Sequence, residues 1–481
     1  MKKLKHSILA IVIASLTLSS CTDNFEEINT DPNRLDAISP STLLNPILYG
    51  VTNHNSYSAY FYRNAFLMQT IVPFPSDVEE RYDRYFVTEN IGTTMWNNHY
   101  RWLKNIEEML VTSEAAGDQN YKAVALTLKA WCYANLVDCF GDIPFSEASQ
   151  GESGISNPKF DDQREIYNAI FNYLEEANSI YDTSKTSNYT ADLLYANDFS
   201  KWKKLTNSIH LRLLLQVSDA QPAISFQKIN TLLNDPATYP IFESNTDNAI
   251  LINTGITPNI TPWPRIQDFR GGARKLSTFF IDNLVAMEDP RLPIWATKAK
   301  KNNEEIGYKG VPSGFFGNEA LIDYAPSEPN DEQAKTPMKN FIMTYAEIEF
   351  IKAELMFKGQ LAGDAKSAYE KGITAAIQTW GVQVPSNYFE NPNNQFNNTL
   401  EQIMLHKHFA LHFNDNQQWN NFRRTGFPVM PLVDNIHNNG VMPSRYPYPP
   451  NIKQQNKNEY LKAVENMGGD DMNIKIWWDI N

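Results

Sequence analysis

Residues 118–144, DQNYKAVALTLKAWCYANLVDCFGDIP, decide the fold class. Asp118 stands where a helix N-cap belongs. Behind it the residues Tyr121, Ala125, Leu128, Cys132, Leu136 and Cys139 recur at intervals of 4, 3, 4, 4 and 3, the period of one apolar helix face. Ala123, Ala130 and Ala134 flank that stripe and are small enough to let a neighbouring helix come close. Gly141 supplies the stop, and Pro144 prevents resumption. Cys132 and Cys139 share a side but lie roughly 10.5 Å apart along the axis. That exceeds the ~7 Å Cα separation a disulfide tolerates, so both are expected as buried thiols.

Working outward, the same period recurs. Thr344 and Glu347 match a capping box, and Gly359 sits at the C′ position. Asp364 caps a following stripe of Ala365, Ala368, Tyr369, Ile373, Ala376, Ile377 and Trp380, which Gly381 ends. Ala353, Ala365, Tyr369 and Gly372 fall at the small and aromatic positions of a tetratricopeptide repeat. Thr399 and Gln402 match another capping box, opening a helix through Phe409 and Phe413. Helix pairs near 93–138, 164–217 and 340–415 predict an all-α fold of stacked, tetratricopeptide-like hairpins. Between about 253 and 336 the period lapses into a stretch dense in proline and glycine. Its aromatics argue against disorder, so an ordered, irregular, ligand-facing insertion is expected there.

The N-terminus predicts export. Lys2, Lys3 and Lys5 precede an apolar run from Ile8 to Leu18, the length of a signal-peptide core and short of the ~20 residues that span a membrane. Leu18-Ser19-Ser20 leads into Cys21, the pattern of a bacterial lipobox, whose cysteine is acylated and becomes the new terminus. The expected organisation is a signal peptide over 1–20, a lipidated tether over 21–40 and one domain over 41–481. Thr22-Asp23-Asn24-Phe25-Glu26-Glu27 resembles the acidic surface-export signal of Bacteroidetes-type lipoproteins.

A net charge of −13 opposes a phosphate-binding surface, and no nucleic-acid partner is expected. The chain has no HExxH, GxSxG, P-loop or GxGxxG. His408 and His412 at i, i+4 lack a third ligand nearby in sequence, and His406 adds no support. Glu328, Asp331 and Glu332 lack the spacing of a calcium loop. A binding protein without metal or cofactor is expected, not an enzyme.

Several blocks resemble the SusD/RagB family of nutrient-binding outer-membrane lipoproteins. They are Asn29-Thr30-Asp31-Pro32-Asn33; Lys129–Val137 with Phe140-Gly141-Asp142-Ile143-Pro144-Phe145; Tyr345-Ala346-Glu347 with Ala353-Glu354-Leu355; Trp419 through Pro428, similar to a WxxxRRTGxP block; and the terminal Trp477-Trp478-Asp479. One departure is Asn451-Ile452-Lys453 after Tyr448-Pro449, where the family carries a glutamate before an asparagine, here Asn456. The resemblance implies an all-α lid at the outer membrane, over a SusC-like TonB-dependent transporter, that captures an oligosaccharide and delivers it to the pore. Peptide capture and, less in keeping with the motifs, glycan hydrolysis are the alternatives.

Sugar rings stack their C–H faces on aromatic planes, and arginines take the hydroxyls. The resemblance implies that the ligand binds on the early loop and the insertion. Tyr82 and Tyr85, then Trp263, Trp295, Tyr308, Phe315 and Phe316, are therefore the candidate platforms, with Arg81, Arg84, Arg265 and Arg270 as polar partners. Trp263, between Pro262 and Pro264, is expected to be rigid and exposed. Trp96 with Tyr100 is expected as a buried pair, and Trp419 with Arg423 and Arg424 as scaffold.

Overall fold

The computed structural model describes residues 38–76, 81–263, 265–270, 274–431 and 436–480. The signal peptide, Cys21, the acidic residues after it and the Asp31-Pro32-Asn33 block lie outside them. From Pro40 onward the chain is one compact unit. α1 (Pro40–His54) runs into a ten-residue π-helix (Asn55–Asn64). α2 (Thr93–Ala116), α3 (Gln119–Phe140), α4 (Gln163–Ile180), α5 (Phe199–Gln216) and α6 (Pro222–Asn234) follow, each packed on the one before. Then come α7 (Thr278–Ala286), the hairpin α8 (Tyr345–Phe357) and α9 (Ala365–Thr379), α10 (Leu400–Ala410), α11 (Gln417–Thr425), α12 (Pro450–Gln455) and α13 (Lys457–Met467). This is the expected all-α class of tetratricopeptide-like hairpins.

Short strands do the local positioning. β1 (Ile71–Pro73) pairs with β5 (Arg274–Leu276), β2 (Ile143–Pro144) with β3 (Phe160–Asp161), and β4 (Ala249–Asn253) with β6 (Met338–Met343), all antiparallel. The β4–β6 ladder clamps the two ends of the irregular segment, with Asn253 opposite Met338. None of these strands was expected. Runs of two to six residues whose partners lie far away in the chain leave no periodic trace.

α3 begins and ends as expected. Asp118 accepts from Tyr121 N–H at 3.0 Å, and Gly141 takes φ 80° beyond the last turn. The one-faced stripe does not hold, because α3 is buried on almost every side. It is the central helix of the stack, and its Thr127 and Asp138 are taken up by specific partners. Thr127 and Thr206 share a hydrogen bond of 2.7 Å. Asp138 accepts from Tyr167 Oη at 2.5 Å, Trp478 Nε1 at 2.8 Å and Asn420 Nδ2 at 3.1 Å. Cys132 and Cys139 are free, buried thiols.

The Thr344–Glu347 capping box is absent: Thr344 makes no side-chain cap, and Glu347 turns inward to take Arg212 Nε at 2.7 Å. At Thr399 the cap forms to Gln402 N–H, but Gln402 Oε1 accepts from Asn397 N–H instead of reaching back. Arg424 binds Glu354 through both nitrogens at 2.5 and 2.6 Å, joining α11 to α8. Arg423 donates to Asp138 O and Ser444 O at 2.7 and 2.6 Å and lies 3.8 Å over the Trp419 ring. These residues are scaffold, as expected.

A second core lies under the insertion, and it corrects the expectation for two tryptophans. Trp263 is only 3% exposed and packs against Phe61 at 5.3 Å, Phe269 at 5.0 Å and Tyr57 at 5.5 Å. Rigid flanks do not expose an indole that has an aromatic box to enter. Trp295 is fully buried, 4.3 Å from His412, with Arg291 over its ring at 4.6 Å.

Two outcomes follow from this packing. Burial alone would raise the Glu354 carboxyl, but Arg424, with Lys358 and Lys407 beside it, outweighs burial and holds it well below the usual range. Glu354→Gln should cost about 3 kcal/mol in urea unfolding near neutral pH, because it strands a buried guanidinium, whereas Glu332→Gln in an exposed pair should leave stability unchanged within error. The depressed carboxyl contributes fully above its unfolded pKa and loses that contribution as pH falls toward the folded value. The difference between wild type and Glu354→Gln should therefore shrink in acid. Trp263→Ala should cost about 3–5 kcal/mol, read as a lowered urea midpoint, whereas an exposed platform ring would lose little.

Candidate functional site

The early loop and the insertion meet at the β1–β5 ladder. Ile71, Val72 and Pro73 lie opposite Leu276, Lys275 and Arg274. Farther out, Ser76 N–H donates to Gly317 O at 2.9 Å, and Gly317 N–H returns to Ser76 O at 2.7 Å. Gly310 permits the approach: a Cβ there would stand 2.3 Å from the Ser277 backbone. Phe74 consequently reaches Phe315, with ring centroids 5.1 Å apart.

Beyond this seam, Tyr82–Arg84 forms a single 3₁₀ turn and Tyr85 takes φ 61°. Tyrosine rarely adopts that left-handed conformation unless its surroundings impose it. Gln69 Nε2 donates to Tyr85 Oη and to Pro431 O, both at 3.2 Å. His437 N–H donates to Arg84 O at 2.8 Å, and the His437 ring meets Phe86 edge to face at 5.4 Å. Pro431 and His437 thus brace the turn. Arg84 is itself buried and lays its guanidinium 4.9 Å over Phe316. Burial pushes the neighbouring Asp83 carboxyl up to about 7 against the pull of Arg84 and Arg81, and its Oδ1 has no hydrogen-bond partner.

The outer surface of this assembly carries a ring supported from behind. Phe316 is 40% exposed, with Arg81, Tyr82, Phe86 and Phe315 half-buried around the same seam. A supported ring loses little conformational freedom when a flat, C–H-rich ligand face settles on it. Arginine beside it offers donors for hydroxyl or carbonyl oxygens.

Of the residues expected at the site, the structure brings together Arg81, Tyr82, Arg84, Phe315 and Phe316. Tyr85 shares the loop, but its ring is buried, so it supports the turn and presents no face. Trp263 and Trp295 belong to the second core, and Tyr308 is half-buried against it. Arg265 is exposed and bound to Asp268 at 2.8 Å, and Arg270 pairs with Asp331 at 3.5 Å. Glu328 pairs with Lys275 and Glu332 with Lys335. His412 is occupied on both ring nitrogens, by Tyr60 Oη at 2.6 Å and Gln333 Oε1 at 2.7 Å, while His406 Nε2 lies 3.1 Å from Asn393 O. Among the described residues no group of three metal-binding side chains converges. Phe74, Phe86 and His437 were not expected. Phe86 directly follows Tyr85 and could have been included with it, whereas His437 sits in a stretch without pattern.

A family model described as starch-binding and associating with the outer membrane, the SusD-like family, matches residues 32–449. No curated protein sequence matches. Among solved structures, a chitin-binding protein is 27% identical, with a TM-score of 0.77 over 92% of this chain and all of the other. A SusD homologue from Bacteroides fragilis is 22% identical (TM-score 0.77; 92% and 99% covered), and a chitin-binding SusD homologue from Flavobacterium johnsoniae is 20% identical (TM-score 0.77; 91% and 99% covered). No helix among the described residues is long and apolar enough to cross a membrane. With the helical stack, the Arg423-Arg424 block and the terminal Trp477-Trp478-Asp479 all in place, the match over most of its length makes this chain a member of the SusD/RagB family, which is associated with the outer membrane.

Proposed function

We propose that this protein captures an oligosaccharide outside the cell and hands it to a SusC-like TonB-dependent transporter, binding the glycan without turning it over. The observation that carries this is the meeting of the early loop and the insertion at one seam, where Phe316 lies exposed over Arg84, in the turn that Arg81 and Tyr82 open. The chitin-binding and starch-binding descriptions of its relatives support a glycan as the ligand class. The Leu18-Ser19-Ser20-Cys21 lipobox supports the location, because a chain acylated at Cys21 by two or more acyl groups would stay at the membrane.

In calorimetric titration with chitin and starch oligosaccharides, Phe316→Ala should weaken binding about tenfold, the equivalent of one lost aromatic contact of about 1.4 kcal/mol. Arg81→Ala should weaken it as well, and neither should move the melting temperature appreciably. Wild-type affinity in Phe316→Ala removes the platform. Binding of a peptide library in place of glycans favours the peptide alternative, and release of shortened glycan products would make the protein a hydrolase.

Anchoring is tested separately. Metabolic labelling with an alkynyl palmitate analogue should mark the wild-type protein and leave Cys21→Ala unmarked and detached from membranes. An unlabelled wild type overturns the lipid anchor while leaving the binding platform standing.

A further inference from the structure

A second concavity lies outside the platform, between the start of α2, the loop joining β2 to β3, and α12. It encloses about 190 Å³. Pockets that hold drug-sized ligands run from about 300 Å³ upward, so this one holds a single ring. Tyr100, half-buried, forms its aromatic side, and the buried Trp96 shows only an edge behind it. Their immobility is built in. Trp96 is locked edge-on by Phe140 at 5.0 Å and Tyr448 at 6.1 Å, and Tyr100 donates its hydroxyl to Pro144 O at 2.7 Å. Pro144, Pro158 and Ile452 complete the apolar wall.

The rim differs from a protein core in one respect. Ser149, Ser156, Gln455 and Asn456 all line it, and no charged side chain does. Asn456 donates to Pro158 O at 2.7 Å and leaves its Oδ1 without a partner. Ser149 takes φ 62°, a left-handed conformation costly for serine. Four neutral hydroxyl and amide side chains around an aromatic and proline wall exceed what a hydrocarbon ring would use. They match a ring with one apolar face and a polar edge. The absence of charge disfavours an ionic ligand.

We infer that this pocket is a second sugar subsite, taking one neutral hexose-sized ring between the Tyr100 and proline wall and the Ser156, Gln455 and Asn456 rim. It rests on the glycan function proposed above and adds a separate place where such a ligand is held. α12 also connects it to the platform loop, since Lys453 pairs with Glu89 at 3.5 Å. A glycan long enough to reach both sites is held at two points, and the second contact forms at the high effective concentration set by the first.

Saturation-transfer NMR on the mature full chain, with N-acetylglucosamine and glucose as separate probes, tests the subsite. Ser156 is exposed on a loop, so Ser156→Trp fills the pocket from outside. In the Phe316→Ala background, where the platform ring is gone, it should abolish transfer to the monosaccharide, and Gln455→Ala should reduce it, with melting curves confirming that both variants are folded. Phe316→Ala alone should leave the part of the monosaccharide signal that the pocket supplies. Transfer undiminished by Ser156→Trp in that background, or a signal lost entirely in Phe316→Ala alone, overturns the subsite. So does a pocket that takes N-acetyl-tyrosinamide and neither sugar. Failure of the platform would appear instead as oligosaccharide affinity indifferent to Phe316, with the monosaccharide result unaffected.

Discussion

The buried carboxylate of Asp138 holds together parts of the chain that share no local sequence relationship. It accepts from Tyr167 on α4, Asn420 on α11 and Trp478 at the C-terminal end, and Arg423 donates to its backbone oxygen. Burial pushes its carboxyl up to about 6, opposed by Tyr167, Arg423 and Trp478. A buried carboxylate is tolerated only where donors replace its water. The four segments must therefore arrive together, and what they fix is the end of α3. From there Gly141 turns the chain into β2 and the pocket beside Trp96. The WxxxRRTGxP block and the terminal Trp-Trp-Asp thus act on one another: Arg423 lies over both the Trp419 and Trp478 rings, at 3.8 and 4.7 Å.

How much of this was legible in the sequence varies with the range of the interaction involved. Helix termini are local, and Asp118, Gly141, Gly359 and Asp364 do what their residue types suggest. Glu347 shows where local inference stops. A capping carboxylate gains a modest, solvent-exposed hydrogen bond, and a buried arginine across the stack offers a stronger one. The same competition explains α3. Thr127 and Asp138 count as polar in any periodicity, yet their partners come from other helices, so a helix surrounded on all sides keeps a one-sided pattern.

The insertion was recognisable as an ordered segment, because its aromatics contradict its lack of pattern. Which ring would face outward was not recognisable. Pro262 speaks for a stiff backbone near Trp263, but exposure depends on whether Phe61, Phe269 and Phe413 supply a cavity for the indole, and those residues lie up to two hundred positions away. Phe316 carries no local mark at all. It is exposed because Phe315 fills the space under the seam against Phe74, while Arg84 occupies the neighbouring face.

Division of labour between buried and exposed rings also explains how such a scaffold accommodates different ligands. The strain at Tyr85 is balanced by Gln69 and by the His437 contact to Arg84, all on the inner side of the turn. Phe316, the exposed ring, makes none of those contacts. On the proposed reading, substitution there would alter recognition without disturbing the hydrogen bonds that shape the loop, whereas substitutions at Gln69, Gly310 or Asp138 would collapse the seam or the stack first. Selectivity, on that same reading, would be carried by side chains whose loss the fold tolerates, mounted on a backbone whose geometry it does not allow to vary.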